Sequence, residues 1–215
     1  MYKYIKRIMD IFLAIGFLIV MAIPMLIVSF LIWKEDKGSP FFIQDRMGKD
    51  EKVFRMYKFR SMIENRKELD SNLTHDQMVT RVGRFIRRTS LDEIPQVINV
   101  LKGDMSFVGP RPWVLPYYEW MTPVQKRRIS VRPGITGLAQ IKGRNGLSVN
   151  KKIEYDLEYV NKFGLRMDLY IIKESIKVVI KETNAEITEN GIKEEIEELK
   201  SNPKNRKKIK SKIKA

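Results

Sequence analysis

From Ile11 to Trp33 the chain runs 23 residues without a charged side chain, IFLAIGFLIVMAIPMLIVSFLIW. A run this apolar must leave water, either into a protein core or into a bilayer. As a helix rising ~1.5 Å per residue it would be about 35 Å long, enough to cross a ~30 Å hydrocarbon layer. Three readings compete. A cleaved signal peptide has a basic start, which Lys3, Lys6 and Arg7 supply, but its apolar stretch is only about 7–15 residues long. Lys34-Glu35-Asp36-Lys37, which follows here, offers no small-residue cleavage site. A straight spanning helix meets a different obstacle. Lys34, Lys37, Arg46, Lys49 and Lys52 follow the segment and basic residues precede it, so the positive-inside rule retains both ends on one side. A segment that bends at Pro24, where a backbone donor is missing, and then returns satisfies both flanks. Proline kinks also occur in ordinary spanning helices, so the residues alone leave the last two readings open.

The charge narrows the partners. Among 215 residues, 41 are Lys or Arg and 26 are Asp or Glu, a net +15 with a pI near 9.9. The last fifteen residues hold seven of the basic side chains and no acidic one, and Gly191–Lys200 is net acidic by two, so residues 1–190 still carry +10. A basic chain meets anions: nucleic acid, a membrane surface or phosphorylated substrates. No zinc-finger spacing, RNP signature or sustained basic helix precedes the tail, which argues against nucleic acid. There is no Cys, and His75 is the single His. Disulfide scaffolds, thiol chemistry, Cys/His metal clusters and a His-based triad are therefore excluded or poorly served. With 43% hydrophobic residues the chain has material for a core.

After Trp33 the pattern predicts one compact domain. Phe41–Gln44 and Val53–Met62, joined through Gly48, read as a β-hairpin. Glu64–Asn72 reads as a polar helix. Val79–Arg88 reads as a helix with Arg81, Arg84 and Arg88 on one face and Val82, Phe85 and Ile86 on another. A short helix over Pro95–Leu101 is stopped by Lys102-Gly103, and Tyr117–Val131 is helical with a restart at Pro123. Arg132–Gly146, with four Gly and a Pro, reads as a loop. Asn150–Phe163 and Met167–Lys181 are two further helices, the second with Leu169, Ile172, Ile176 and Val179-Ile180 as a buried stripe. Ile192–Leu199 is a last amphipathic piece before the basic tail.

Several motifs admit both a bland and a chemical reading. Ser90-Leu91-Asp92-Glu93 matches a capping box, with acids in the first turn of a helix. It is equally a carboxylate pair beside Arg84, Arg87 and Arg88. Cations on all sides should keep such a pair ionised, and an ionised carboxylate can attack phosphorus while its neighbour holds a hard cation. Lys58 and Arg60 share a strand face by the period of two, either solvated or gripping phosphate. In Gly109-Pro110-Arg111-Pro112 two prolines restrict the backbone around a guanidinium suited to phosphate. Pro133-Gly134-Ile135-Thr136-Gly137 and Gly143-Arg144-Asn145-Gly146 lack P-loop or dinucleotide spacing and read as turns. Asp156 and Asp168 fit ordinary surface acids.

Taken in order, Lys58-Phe59-Arg60-Ser61-Met62, Ser90 to Gln96, Val108 to Pro112 and Arg132 to Gln140 resemble the bacterial sugar transferases, and more narrowly the small monotopic polyprenol-phosphate phosphoglycosyl transferases. Gly143-Arg144-Asn145 and Tyr155-Asp156-x-x-Tyr159-Val160 extend the resemblance, which covers about residues 1–181. It implies transfer of a sugar-1-phosphate from a UDP-sugar to undecaprenyl phosphate with release of UMP. That step initiates capsule, exopolysaccharide or glycoprotein glycan synthesis. It implies Asp92 as the nucleophile forming an aspartyl phosphosugar, with Glu93 as its catalytic partner and ligand to Mg²⁺. Lys58, Arg60, Arg87 and Arg111 are implied as phosphate contacts, and Arg144 and Asp168 as positioning residues for nucleotide or lipid phosphate. The expected fold is α+β and mainly helical, with a small β-hairpin and an N-terminal re-entrant (monotopic) membrane helix. The expected divisions are 1–38 for that helix and its flanks, 39–181 for a cytosolic transferase domain and 182–215 for a charged amphipathic and basic tail. The implied location is the cytoplasmic membrane, its anionic lipids being further partners. Where the family often bends at Ser-Pro, this chain has Ile23-Pro24.

Overall fold

The computed structural model describes residues 1–63, 77–143, 146–181 and 192–201. The expected helix Glu64–Asn72 and the residue Arg144 lie outside the described residues. The fold is α+β and mainly helical, and among the described residues it has two small sheets and one long N-terminal apolar helix.

That helix, α1, spans Tyr2–Asp36 and continues through Pro24. Its two ends are fastened to the same folded body. At the N-terminal end, Asp168 accepts hydrogen bonds from the Tyr2 hydroxyl and from the Lys6 ammonium at 2.5 Å. Arg7 donates to the carbonyls of Val100 and Leu101, at 2.5 and 2.8 Å. Those carbonyls lie in the last turn of α3 (Gln96–Lys102), where a cation meets both unpaired acceptors and the negative end of the helix dipole. Asp10 accepts from the Ser106 hydroxyl and the Phe107 amide. At the C-terminal end, Glu35 accepts from the Arg81 and Val82 amides. It thereby caps α2 (Arg81–Arg88), whose first-turn donors lack partners within the helix. Asp36 is gripped by both arms of Arg60, at 2.5 and 2.6 Å. Apolar packing follows the same division. Ala14, Phe17 and Leu18 join Phe54, Met56, Val97 and Val100, while Met25, Val28 and Ile32 join Phe59 and Ile86. Between these anchorages Ile19, Val20 and Ile23 stand 70–74% exposed.

The hairpin forms as expected. Strand β1 (Phe41–Met47) pairs antiparallel with β2 (Val53–Phe59), from Phe41 opposite Phe59 to Met47 opposite Val53. Asn99 of α3, fully buried, locks the hairpin to the helix. Its side chain accepts from the Tyr57 amide and donates to the Arg55 carbonyl, so neither edge group is left unpaired in the interior.

The second sheet was not expected. Strand β3 (Ser106–Val108) pairs parallel with β4 (Gly134–Thr136), inside the segment read as a loop, and α6 (Leu138–Gly143) follows directly. The glycines make this possible by having no side chain. A Cβ on Gly134 would lie 2.1 Å from the Gly109 nitrogen, and one on Gly109 would lie 2.4 Å from the Arg132 carbonyl oxygen. The two backbones therefore approach closely enough for Gly109 to donate to Thr136 and Gly134 to Pro110. This pairing fixes the root of the Gly109–Pro112 loop.

Helices α4 (Leu115–Trp120) and α5 (Pro123–Lys126) are separated at the expected restart, where Thr122 and Gln125 form a capping box. Helices α7 (Val149–Asn161), α8 (Leu165–Lys181) and α9 (Ile192–Ser201) complete the body. In α9, Leu199 is buried in a cluster with Tyr117, Met121, Val149 and Ile153, and Glu198 accepts from the Val149 and Asn150 amides at the start of α7. The expected buried stripe of α8 is overturned. Leu169 and Ile176 are more than half exposed and Ile172 is at the margin of exposure, while Asp168 and Ile171 face inward. The side chains of Val179 and Ile180 lie outside the described ones.

The close approach at β3–β4 gives a test. Gly134→Ala forces two backbones apart and should cost about 2–3 kcal/mol by overpacking. Thermal melting of the purified protein in detergent micelles should show a clearly lowered Tm; an unchanged Tm would refute the packing described.

Candidate active site

The carboxylate pair sits on a 3-10 turn, Leu91–Glu93, between α2 and α3. Ser90 enters it at φ 55°, in the left-handed region that a non-glycine residue rarely occupies, a conformation that the surroundings must hold in place. The capping-box reading fails at this point. Ser90 makes no side-chain capping bond, and Glu93 turns its carboxylate outward to two cations instead of back toward the chain. Leu91 and Ile94, which flank the pair, pack on the cluster of Val28, Ile32, Phe59 and Ile86. The turn is thus seated on the C-terminal half of α1.

Glu93 Oε1 accepts from Lys58 Nζ at 2.8 Å and from Arg111 at 2.5 Å, and Arg111 reaches Oε2 at 3.3 Å. Asp92 lies beside the same ammonium, 3.7 Å from Lys58 Nζ. Arg87 donates from Nε to Ser61 and contributes positive potential at Asp92. Four of the expected residues, Lys58, Arg87, Arg111 and the pair's own Glu93, thus converge on Asp92. The others stand elsewhere. Arg60 is engaged with Asp36 and the Ser39 carbonyl, tying β2 to the end of α1. Asp168 is buried between Lys6, Tyr2 and Tyr159 at the other end of α1.

The two neighbouring carboxyls are pushed in opposite directions. Burial raises Asp92 to about 6, with Glu93 adding to the rise and Lys58, Arg111 and Arg87 holding it down. Glu93 is also buried, but Arg111 and Lys58 outweigh that cost and hold it far below the usual carboxylate range. The site therefore contains one carboxylate locked in its ionised form and a second whose basicity is increased while it remains mostly ionised at neutral pH. Such a pair can bring a nucleophilic oxygen to a phosphorus whose charge the surrounding cations neutralise. Among the described residues there is no group of three or more metal-ligating side chains.

Sequence reasoning missed the supports of Arg111. Arg128, 2% exposed, donates to Asp156 at 2.6 and 2.9 Å and to the Arg111 carbonyl at 2.7 Å, with its guanidinium 4.1 Å from the Trp113 ring centre. Arg46 donates to the Pro112 carbonyl and is depressed to about 10 by burial and by Arg111 nearby. Arg127-Arg128 looks in sequence like a surface basic pair, and nothing in its spacing links it to Asp156. Asp156, for its part, is raised by burial against the pull of Arg128.

Comparison with known proteins adds one family match and three relatives. The profile of the family described as bacterial sugar transferase matches residues 1–182. The chain is 41% identical over 201 residues to the galactosyl transferase CpsE of Streptococcus agalactiae, covering 86% of this chain and 45% of that protein. It is 42% identical to the uncharacterized sugar transferase EpsL of Bacillus subtilis, with 82% of this chain and 87% of that one covered. It is 39% identical to the UDP-glucose:undecaprenyl-phosphate glucose-1-phosphate transferase of Escherichia coli, with 79% and 39% covered. The chain thus spans less than half the length of two of these relatives and most of the third.

The raised Asp92 carboxyl carries a stability consequence. A group whose pKa rises on folding, here from 3.8 to about 6, stabilises the fold at low pH, and that contribution is lost as pH climbs through about 6. Asp92→Asn removes the cost of the buried charge. At pH 8 the variant should be more stable than the parent by on the order of 2 kcal/mol, at ~1.4 kcal/mol per unit less solvent screening. The difference should shrink as the pH falls below 6, and denaturant titrations at both pH values measure it. A variant less stable than the parent at pH 8 would show that Asp92 does not sit under this strain.

Proposed function

Because the chain belongs to the bacterial sugar transferase family, we propose that it transfers a sugar-1-phosphate from a UDP-sugar to undecaprenyl phosphate, initiating glycan assembly at the cytoplasmic face of the membrane. The observation that carries this reading is the Asp92–Glu93 turn, ringed by Lys58, Arg87 and Arg111 and seated on α1. The name of the Escherichia coli relative states the same donor class, acceptor and transferred group.

In the proposed reaction an Asp92 oxygen attacks the phosphorus attached to the sugar. The bond to the bridging oxygen breaks, UMP leaves with the electron pair, and an aspartyl phosphosugar remains. An oxygen of undecaprenyl phosphate then attacks that phosphorus. The acyl phosphate bond breaks, the Asp92 carboxylate is restored, and a lipid diphosphate sugar is released. Splitting the transfer lets the soluble nucleotide depart before the lipid enters. Arg111 and Lys58, which pair with Glu93, are the groups that would hold the donor's diphosphate. Mg²⁺ takes one or two carboxylates together with substrate phosphates, and the pair fits that small donor set. Glu93 would hold the ion, which when bound shields phosphate charge. The two-ended attachment of α1 supports a monotopic seat: the uncharged middle enters the bilayer while Lys3 and Lys37 stay on one side.

The test is a panel of UDP-sugars given to the full chain in undecaprenyl phosphate-containing vesicles with Mg²⁺. UMP should be released with one of them, the rate should drop about tenfold per pH unit below 6, and EDTA should suppress it. Asp92→Asn should lose at least a thousandfold; full turnover by that variant would remove Asp92 from the role. For topology, single cysteines at positions 3 and 37 of this Cys-free chain should both resist an impermeant thiol reagent in intact cells. Labelling at one end alone would defeat the monotopic seat.

A further inference from the structure

Helix α9 lies wholly past residue 182, where the family match ends, and it packs on α4 and α7. A helix of ten residues is barely stable alone in water, so its order comes from docking. Leu199 is buried and Ile196 half-buried in the cluster of Tyr117, Met121, Val149 and Ile153. Its four glutamates divide between two faces. Glu194 and Glu197 are exposed, whereas Glu195 and Glu198 are half-buried and bonded to the body.

Glu195 bridges the two helices beneath it. One carboxylate oxygen accepts from the Tyr117 hydroxyl of α4, the other from Lys152 of α7 at 2.7 Å. Glu198 engages α7 a second time, through the Val149 amide at 3.1 Å and the Asn150 side chain at 3.0 Å. Both helices lead to the same guanidinium. On the α4 side Tyr117 packs on Trp113, with ring centres 5.0 Å apart, and Trp113 faces Arg128. On the α7 side Asp156, one turn beyond Lys152, holds Arg128 in a buried ion pair. Arg128 in turn supports the Arg111 carbonyl. Pro110 and Pro112 stiffen that loop, so a shift of its backbone is passed on to the Arg111 side chain. A guanidinium that grips two oxygens at once tolerates little misplacement.

We infer that α9 is a positioning element of the donor site, with Glu195 as its positioning residue. By tying α4 to α7 it holds Trp113 and Asp156 at the separation that clamps Arg128, and Arg128 fixes the backbone of Arg111. This rests on the reading of Arg111 as a contact to the donor's diphosphate. Glu195 itself touches no substrate. Its loss acts through Arg111 as a looser grip on the diphosphate, while the attack by Asp92 is left as it was. Weakening the α9 contacts should therefore raise the KM for the UDP-sugar more than it lowers kcat.

The experiment titrates the full chain in detergent micelles with UDP and Mg²⁺ by calorimetry, UDP being a probe that carries the diphosphate without the sugar. Glu195→Ala and Tyr117→Phe should each weaken UDP binding several-fold. Glu195→Gln, whose side-chain carbonyl still accepts from the Tyr117 hydroxyl, should keep most of the affinity. Tyr117→Phe removes one oxygen and keeps the ring, so it reads the contact in a folded chain even where Glu195→Ala lowers the Tm. The route is tested by a double-mutant cycle. Arg111→Lys keeps a charge but loses the fork, and its flexible ammonium absorbs a backbone shift, so Glu195→Ala should add little further loss in that background. UDP affinity unchanged in both Glu195→Ala and Tyr117→Phe, with or without a lowered Tm, makes α9 a structural brace alone. That result overturns the inference and leaves the transferase reading standing. A loss as large in the Arg111→Lys background as in the parent places the effect outside Arg111 and overturns it as well. Absence of UDP binding by the parent chain defeats the reading of the donor site, and the inference with it.

Discussion

The two-ended fastening of α1 is the constraint on which the rest depends. A helix with 23 uncharged residues is driven from water along its whole length, and on its own it could take any tilt. Here Asp168, Ser106 and the last carbonyls of α3 hold one end, and Arg60 and the first amides of α2 hold the other. Buried ion pairs such as Lys6–Asp168 add little net stability, since desolvation offsets attraction. Their directionality is what matters, because each fixes which residue of α1 faces which element. The apolar clusters of Ala14 and of Val28–Ile32 supply the adhesion between those fixed points.

The Asp92–Glu93 turn inherits its position from that arrangement. Leu91 and Ile94 rest on Val28 and Ile32, so Asp92 and Glu93 are held at a fixed distance from the apolar surface. Within the turn, two identical functional groups are made unlike. Glu93 takes the short contacts with Arg111 and Lys58, whereas Asp92 bears burial with only a longer contact, 3.7 Å, to the same ammonium. Environments that push neighbouring pKa values apart divide roles between like groups. The left-handed Ser90 is part of the same device. With an ordinary capping conformation the acids would lie along the first turn of a helix and Glu93 would face its own backbone.

What was legible in the sequence followed from local rules. Alternation and Gly48 marked the hairpin, Gly103 marked the end of α3, and Thr122-Pro123 marked the restart of α5, each because the residue concerned acts on its own backbone. The convergence of Lys58, Arg87 and Arg111 on the acidic pair was legible as ordered motifs, although only the fold brings positions 58, 87, 92 and 111 together. Two things were not legible. The β3–β4 pairing depends on what Gly109 and Gly134 lack, and composition alone makes such a segment look like a loop. Arg128 and Asp156 meet across 28 residues, a contact that no spacing rule encodes. Arg60 shows the limit of the strand-face argument: it shares a face with Lys58 by periodicity, but Asp36, contributed by the end of α1, diverts it.

The α8 stripe was misread for a reason that applies beyond this chain. A period of 3.6 reports that one face of a helix avoids water, and it carries no information about whether protein or lipid provides the alternative. The distinction comes from what shares the face. In α8 the residues turned toward the body are Asp168 and Ile171, with Asp168 committed to Lys6, Tyr2 and Tyr159. Asp168 defines the inward face of α8 by a polar lock, and the apolar stripe lies along the edge of that face. Helical geometry agrees. Asp168 and Ile171 lie about 60° apart on the helical wheel, the stripe residues Leu165, Leu169, Ile172 and Ile176 cluster together beside them, and a single helix cannot turn both arcs squarely to the core.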